Sequence, residues 1–235
     1  GYLVQGLMRA ESPPDIVVSP RNADKAGELA ARFGVGIAAD NQAVIDTADV
    51  VILATRPALG TTAIDGLTFR PDQIAFTMVA GMTLAAFQSV VAPARAHRAI
   101  AHAGVSIGAS PVFLYPDAPE LHTLFSAWGP VEASPDEAAF EVATVFPVFY
   151  AALYRIIEES ARWGAAQGLE PAAARDLATV SMKATALMAE ADRDRPLAEI
   201  IDSLATKGGM TERMIAVLEG RGAIEAWSES MEVVL

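Results

Sequence analysis

The 235-residue chain contains no cysteine and only three histidines. The first absence excludes a disulfide framework and any thiolate nucleophile. No metal site is predicted either. The longest apolar segment, VATVFPVFYAALY at 142–154, contains Pro147 and is shorter than the roughly 18–20 residues of a membrane helix. It predicts a buried helix or a subunit interface. The sequence shows no basic, apolar and small-residue signal segment, and we expect a soluble cytoplasmic protein without a membrane partner.

Basic residues are also few, with 17 Lys and Arg against 29 Asp and Glu, for a net charge of −12. A nucleic-acid partner is therefore not expected, because phosphate binding depends on a basic surface. A small anionic ligand remains possible, since its site needs only a few local cations or backbone amides. Most of the negative charge is interpreted as solvated surface.

Helix and strand signals alternate through the first half of the chain. Apolar strand patterns occur in DIVVS, GVGIAAD, ADVVILAT and QIAFTMVAG, with helical patterns between them. This rhythm predicts an α/β Rossmann-like, doubly wound sheet over 1–135 with helices on both faces. Such a domain begins with a strand and a glycine-rich turn, whereas this sequence begins at the helix that follows them. We therefore expect the first strand to be absent from the chain.

Strand signals stop near Val131, and the remaining sequence predicts an all-helical domain over 136–235. Glycines and prolines divide it into expected helices at 136–168, 171–191, 196–206 and 210–234. Several of these helices are apolar on more than one face. A monomer of this size cannot easily bury so much apolar surface, which predicts a homodimer, or a higher homo-oligomer, formed through the helical domain.

Three segments, VVILATRPA at 50–58, MVAGMTLAAF at 78–87 and TKGGMT at 206–211, occur in an order that resembles the pyrroline-5-carboxylate reductase family. The resemblance spans nearly the whole chain. It implies NADPH-dependent reduction of a cyclic imino acid, pyrroline-5-carboxylate or a close analogue, in proline biosynthesis. It also implies that the cofactor crosses the carboxyl ends of the parallel strands, near Ala54, Thr55, Arg56, Pro57, Ala80 and Gly81. An interpretation of these residues as ordinary strand-to-helix turns stays open.

The end of the second strand of this fold, VVSPRNADK, bears on the choice of cofactor. An NAD enzyme usually has an acidic residue there for the ribose 2′-hydroxyl. Ser19, Arg21 and Asn22 instead offer a hydroxyl, a guanidinium and a helix N-terminus, which suit a 2′-phosphate. The sequence thus favours NADP(H), unless Arg21 is merely a solvated turn residue.

The glycine pair in TKGGMT is the expected substrate site. The resemblance implies that the amides of Gly208, Gly209 and Met210 bind the substrate carboxylate and that Thr211 lies against the imine nitrogen. A helix N-terminus is a suitable anion site, and glycine allows close approach. The alternative is a simple turn between two helices.

Two departures from the family pattern leave the substrate open. His102 stands at the position of a family asparagine, where it is a candidate hydrogen-bond donor or proton source, or else only a strand-end histidine. In ATVFPVF, at 143–149, bulky apolar residues replace small polar ones. Two other functions therefore remain: an NADP-linked hydroxyacid-type dehydrogenase, with Lys183 as its acid, or a non-catalytic dimeric relative that binds nucleotide.

Overall fold

The structure, a computed structural model, describes the chain from Gly1 to Leu235 except for the side chains of Pro57, Ala58 and Thr61. Two compact units divide it, Gly1–Pro147 and Val148–Leu235. The first unit holds all of the assigned strands, and the second consists of helices.

The first unit contains seven strands, six α-helices and two complete 3-10 helices. The strands are β1 Val17–Val18, β2 Gly36–Ile37, β3 Val50–Leu53, β4 Ile74–Thr77, β5 Arg95–Ile100, β6 Val112–Tyr115 and β7 Val131–Ala133. The helices are α1 Tyr2–Leu7, α2 Ala23–Phe33, α3 Asn41–Thr47, α4 Leu84–Val91, α5 Pro119–Phe125 and α6 Glu137–Ala143, and the 3-10 helices are Pro57–Ala63 and Ala103–Ile107. A third 3-10 helix, Phe146–Val148, crosses the division between the units.

Five strands form one sheet in the order β3-β4-β5-β6-β7. The first three are parallel, β6 is antiparallel to β5, and β7 is parallel to β6. The parallel pair β1-β2 forms a separate sheet. The Rossmann-like fold class is confirmed, with an antiparallel step at β6 that the sequence did not predict.

The sheet is covered on both faces, which explains why every residue of β4 is buried. Ile74 and Phe76 of β4 belong to one buried cluster, in which the rings of Phe125 and Trp128 stack with centroids 4.6 Å apart. Ala75 belongs to a second buried cluster. The alternation of side chains along a strand therefore places β4 at the centre of both cores.

The second unit contains five helices, α7 Phe149–Ala166, α8 Pro171–Ala191, α9 Leu197–Leu204, α10 Met210–Gly220 and α11 Ala223–Val234. No strand occurs in its described residues, as predicted. Two expected helices are wrong in extent. The helix predicted at 136–168 is divided into α6 and α7 by the 3-10 helix that contains Pro147. The helix predicted at 210–234 is divided by Gly222, whose φ of 68° lies in the left-handed region.

The units divide after Pro147, whereas the expected domain boundary lies between residues 135 and 136. The difference arises because α6 packs on the sheet of the first unit. Phe140 of α6 is 2% exposed, and two glutamates of α6 pair with a buried arginine of β5.

Residues 137–166, which include α6 and α7, form the one segment of the described residues that is long and apolar enough to cross a membrane. The mean hydropathy of its most apolar window is 1.5, and 22% of that window is buried. Length and composition alone are weak grounds for a membrane span, and they suit an interface between protein subunits equally well.

Candidate functional site

The ends of β3 and β4 bring two of the predicted cofactor segments together. Leu53 and Thr77, the last residues of these parallel strands, are paired in register, so Ala54 and Ala80 leave the sheet at the same edge. Gly81 has a φ of 74°, and no atom lies within 4 Å of the position that a Cβ would take. This turn is therefore open for the close approach of a flat group to the backbone.

The turn after β3 is held by internal hydrogen bonds. Thr55 Oγ donates to the carbonyl of Gly60 at 3.1 Å, and the carbonyl of Arg56 accepts from the amides of Leu59 and Gly60. The Arg56 side chain is exposed, and no partner for its guanidinium is found among the described residues. Pro57, also predicted to bind cofactor, lies outside the described side chains.

The end of β1 carries the residues predicted to select NADP(H). Asn22 is the N-cap of α2, where its Oδ1 accepts from the amide of Lys25 at 2.9 Å. The ammonium of Lys25 is paired with Glu28 at 2.8 Å. Arg21 is exposed, and its guanidinium has no ion-pair partner in the described part of the chain. Of these cations, Arg21 is thus the one still available to a phosphate.

Asn41, which the sequence reading missed, connects the two halves of the predicted cofactor site. Its Oδ1 accepts from Ser19 Oγ at 2.6 Å, and its Nδ2 donates to the carbonyl of Ala63 at 2.8 Å. One carboxamide thus joins the end of β1 to the 3-10 helix that follows β3. The sequence signal for Asn41 was its position at the start of α3, directly after the N-cap Asp40.

His102 is committed to local structure by one of its ring nitrogens. It is the N-cap of the 3-10 helix Ala103–Ile107, and its Nδ1 accepts from the amide of Gly104 at 2.9 Å. Nδ1 therefore carries no proton, and burial lowers the pKa of His102. A Cβ at Gly104 would come within 2.4 Å of the imidazole. This geometry limits the predicted donor role to the other ring nitrogen.

The TKGGMT segment lies at the N-terminus of α10, but its glycine amides are not the exposed donors that were expected. The amide of Gly208 donates to Glu212 Oε2 at 2.6 Å, and that of Gly209 donates to the carbonyl of Thr206 at 2.8 Å. In the described part of the chain, the amides of Met210, Thr211 and Glu212 have no acceptor. Of the three predicted amides, that of Met210 therefore stays available to an anion, and the helix start adds those of Thr211 and Glu212.

A cluster of charged side chains in the first unit was also missed. Arg98 of β5 is 2% exposed, and its Nη1 donates to Glu137 Oε1 at 2.8 Å and to Glu141 Oε1 at 2.5 Å. Its guanidinium lies 4.5 Å from the centre of the Phe140 ring. The signal was Arg98 beside the apolar residues Ala99 and Ile100, together with two glutamates four residues apart on one helix face. Among the described residues no group of three or more metal-ligating side chains occurs.

Comparison with protein families gives a match in each half of the chain. Residues 1–81 match the family described as NADP oxidoreductase coenzyme F420-dependent. Residues 137–234 match the family described as pyrroline-5-carboxylate reductase dimerisation. The second match includes α6 and every helix of the second unit.

Curated relatives and solved structures agree with these matches. The chain is 30% identical over 203 residues to a pyrroline-5-carboxylate reductase of Mycobacterium tuberculosis, covering 79% of this chain and 68% of the relative. It is 25% identical over 247 residues to a Bacillus spizizenii enzyme of the same name, covering 98% and 82%.

Among solved structures, the fold resembles that of 1-pyrroline-5-carboxylate reductase from Streptococcus pyogenes. The TM-score is 0.86 at 23% identity, covering 99% of this chain and 91% of that one. The Plasmodium falciparum pyrroline carboxylate reductase with NADP bound gives a TM-score of 0.83 at 13% identity, covering 99% and 90%. With a relative that is 30% identical over 79% of this chain and a dimerisation match over 137–234, the chain belongs to the pyrroline-5-carboxylate reductase family.

Proposed function

We propose that this protein is an NADPH-dependent oxidoreductase that reduces pyrroline-5-carboxylate to proline. One observation carries the proposal: an NADP oxidoreductase match over 1–81 and a pyrroline-5-carboxylate reductase dimerisation match over 137–234 occur in the same chain. Relatives named pyrroline-5-carboxylate reductase cover most of the chain.

The residues of the first unit fit a nicotinamide dinucleotide. Bound NADPH supplies a hydride to the imine carbon. The open turn at Gly81 leaves room for a planar ring beside the backbone, and the exposed Arg21 offers a cation to the 2′-phosphate. Ser19 and the N-terminus of α2 lie beside Arg21 in the chain. Ala54, Thr55 and Arg56 follow β3, the strand that pairs with β4.

The N-terminus of α10 fits the carboxylate of the substrate. The amides of Met210, Thr211 and Glu212 point out of the first turn without acceptors in the described residues, and the helix dipole favours negative charge there. Thr211 is exposed, so its hydroxyl is available to a ring nitrogen. In this proposal the hydroxyl positions the imine, and orientation rather than strong acid catalysis supplies most of the acceleration.

A homodimer formed through the helical unit, in the cytoplasm, completes the proposal. The dimerisation match covers the helical unit. That unit exposes large apolar side chains on each of its five helices, including Tyr154, Val180, Ile201, Met214 and Val233. Such surfaces are typical of subunit interfaces.

The direct test is steady-state turnover by the purified chain. We expect NADPH oxidation with pyrroline-5-carboxylate, and little reduction of NADP when a 3-hydroxy acid is supplied. The opposite preference would favour a hydroxyacid-type dehydrogenase. NADPH binding without turnover of either substrate would favour a non-catalytic relative.

A further inference from the structure

The cluster formed by Arg98, Glu137 and Glu141, together with the Phe140 ring, does more than join α6 to the sheet. Its two carboxylates are not equivalent. Both accept a hydrogen bond from Nη1 of Arg98, but Glu137 Oε1 also accepts from the backbone amide of Leu84 at 2.6 Å. One carboxylate oxygen thus joins β5, α6 and the first residue of α4.

The charges of the cluster favour this bond to α4. Two carboxylates face one guanidinium, which leaves one negative charge in excess. The N-terminus of a helix carries partial positive charge and unpaired amides. Glu137 therefore receives the first amide of α4 with a charge-assisted hydrogen bond, which is stronger than a neutral one.

The bond lies at one end of the turn that contains Gly81. Arg98 is paired in register with Thr77, the last residue of β4, and Thr77 Oγ accepts from the amide of Val79 at 3.1 Å. The turn is therefore held at its start by Thr77 and at its end, Leu84, by Glu137. No atom approaches the Cβ position of Gly81 between these two anchors.

We propose that Glu137 is a positioning residue for the Ala80–Gly81 turn, and that Arg98 acts through Glu137 by fixing its carboxylate. This inference rests on the proposed function in one respect, since the same turn is the one assigned to the nicotinamide. Glu141 shares the contact to Arg98 but not the contact to Leu84, and it serves as the matched control.

The experiment compares Glu137→Leu with Glu141→Leu in the full chain, with Glu137→Gln as the conservative variant. Amide hydrogen exchange over residues 79–86 is measured without cofactor, and NADPH affinity is measured by the fluorescence of the bound dinucleotide. In Glu137→Leu we expect exchange at Leu84 and the Kd for NADPH each to rise about tenfold, equivalent to about 1.4 kcal/mol. Glu137→Gln keeps an acceptor for the amide and should recover most of both changes.

Equal changes in the two leucine variants would overturn the inference, since the cluster would then be a uniform ion pair holding α6. Unchanged exchange and Kd in Glu137→Leu would overturn it as well. The proposed function is judged separately, by turnover of pyrroline-5-carboxylate in the unaltered chain. A chain that binds NADPH without reducing this substrate would contradict the proposed function while the contrast between Glu137 and Glu141 still decides the inference.

Discussion

Arg21 is the residue on which the choice between NADPH and NADH depends in our proposal. It is exposed at the N-terminus of α2, whereas the neighbouring Lys25 is engaged by Glu28. Replacing Arg21 by Asp would introduce the charge that suits a ribose 2′-hydroxyl and repels a 2′-phosphate. We expect the ratio of kcat/KM with NADPH to that with NADH to fall at least about tenfold, or about 1.4 kcal/mol. An unchanged ratio would remove Arg21 from the cofactor site, and Arg193→Asp is an exposed control.

Thr211 offers a second test at the level of one side chain. A hydrogen bond to a neutral partner contributes about 0.5–1.5 kcal/mol and one to a charged partner about 1.5–3 kcal/mol. Thr211→Ala should therefore lower kcat with pyrroline-5-carboxylate by roughly one to two orders of magnitude and leave NADPH affinity nearly unchanged. Thr185→Ala, on α8, removes a hydroxyl that only bonds within its own helix. Wild-type turnover in Thr211→Ala would contradict the substrate site proposed at α10. The glycine pair would then be only a turn between two helices.

His97 makes the stability of the first unit depend on pH. It is 6% exposed, its Nδ1 lies 2.9 Å from the carbonyl of Pro116, and burial lowers the pKa of His97 despite that hydrogen bond. The unfolded chain therefore binds this proton more readily than the folded chain. The contribution of neutral His97 to stability is complete above the pKa of about 6.5 of an unfolded histidine, and it is lost as the pH falls below that pKa.

The variant His97→Asn retains a donor for Pro116 and does not titrate. The free energy of unfolding in urea should fall less between about pH 7.5 and pH 5.5 in His97→Asn than in the unaltered chain. The slope will not vanish, because burial lowers the pKa of His102 as well. Equal slopes in the two proteins would contradict the assignment.

At the scale of helices and strands, the sequence predicted what local signals determine. Gly168 and Pro171 bracket the start of α8, and its observed bounds equal the predicted ones. The break before α7 was not predicted, because Pro147 was interpreted as a proline within one long apolar helix. In the structure it lies in a 3-10 helix that separates α6 from α7. The antiparallel pairing of β5 with β6 was missed because strand direction depends on long-range contacts that no local pattern contains.

The glycine pair before α10 has a structural reason of its own. Gly208 has a φ of 76°, and a Cβ on Gly209 would lie 2.5 Å from Thr206 Oγ and 2.8 Å from its carbonyl oxygen. By contrast, nothing lies within 4 Å of a Cβ at Gly220, the last residue of the same helix. We expect Gly209→Ala to destabilise the protein by about 1–3 kcal/mol through overpacking. Gly220→Ala should be neutral or stabilising by up to about 1 kcal/mol.

Thermal unfolding of the two variants at one protein concentration is a sufficient measurement. If both alanines had the same effect, the close contact with Thr206 would not explain Gly209. The comparison also concerns the proposed substrate site. If packing against Thr206 requires a glycine at 209, a bound ligand is not needed to explain that glycine.

At the scale of the whole molecule, the packing of the first unit brings part of the predicted cofactor site together. The parallel pairing of β3 with β4 places their two turns together, as the alternating pattern implied. The bonds of Asn41 and of Arg98 join residues 22 and 39 or more positions apart. Such pairings follow from the packed fold and leave only weak traces in sequence. In the structure, the amides of Gly208 and Gly209 donate to Glu212 and Thr206, contacts that the motif alone does not reveal. The carboxylate site at α10 stays a prediction.

The helical unit lacks an interior of its own. Among the described residues of 148–235, only Gly164 and Ala174 are buried. These two small residues mark the close contact of α7 with α8, where a Cβ on Gly164 would lie 3.2 Å from the Cβ of Ala174. Burial of apolar side chains is the main source of stability in a folded domain. A unit with so little burial needs apolar surface from elsewhere, and a second copy of the dimerisation segment is the partner that the family match supports.

The last prediction follows from that deficit. The unaltered chain should sediment as a species with at least twice the mass of one chain at micromolar concentration. Val180 of α8 is 62% exposed, and Val180→Glu would place a charge in the proposed interface, which should shift the population toward monomer and lower the thermal midpoint. Ile107 of the first unit is equally exposed at 65%, and Ile107→Glu should leave the mass unchanged. A monodisperse monomer, or equal effects of the two glutamates, would contradict a dimer built through the helical unit, because burying an unpaired charge is costly only where an interface excludes water.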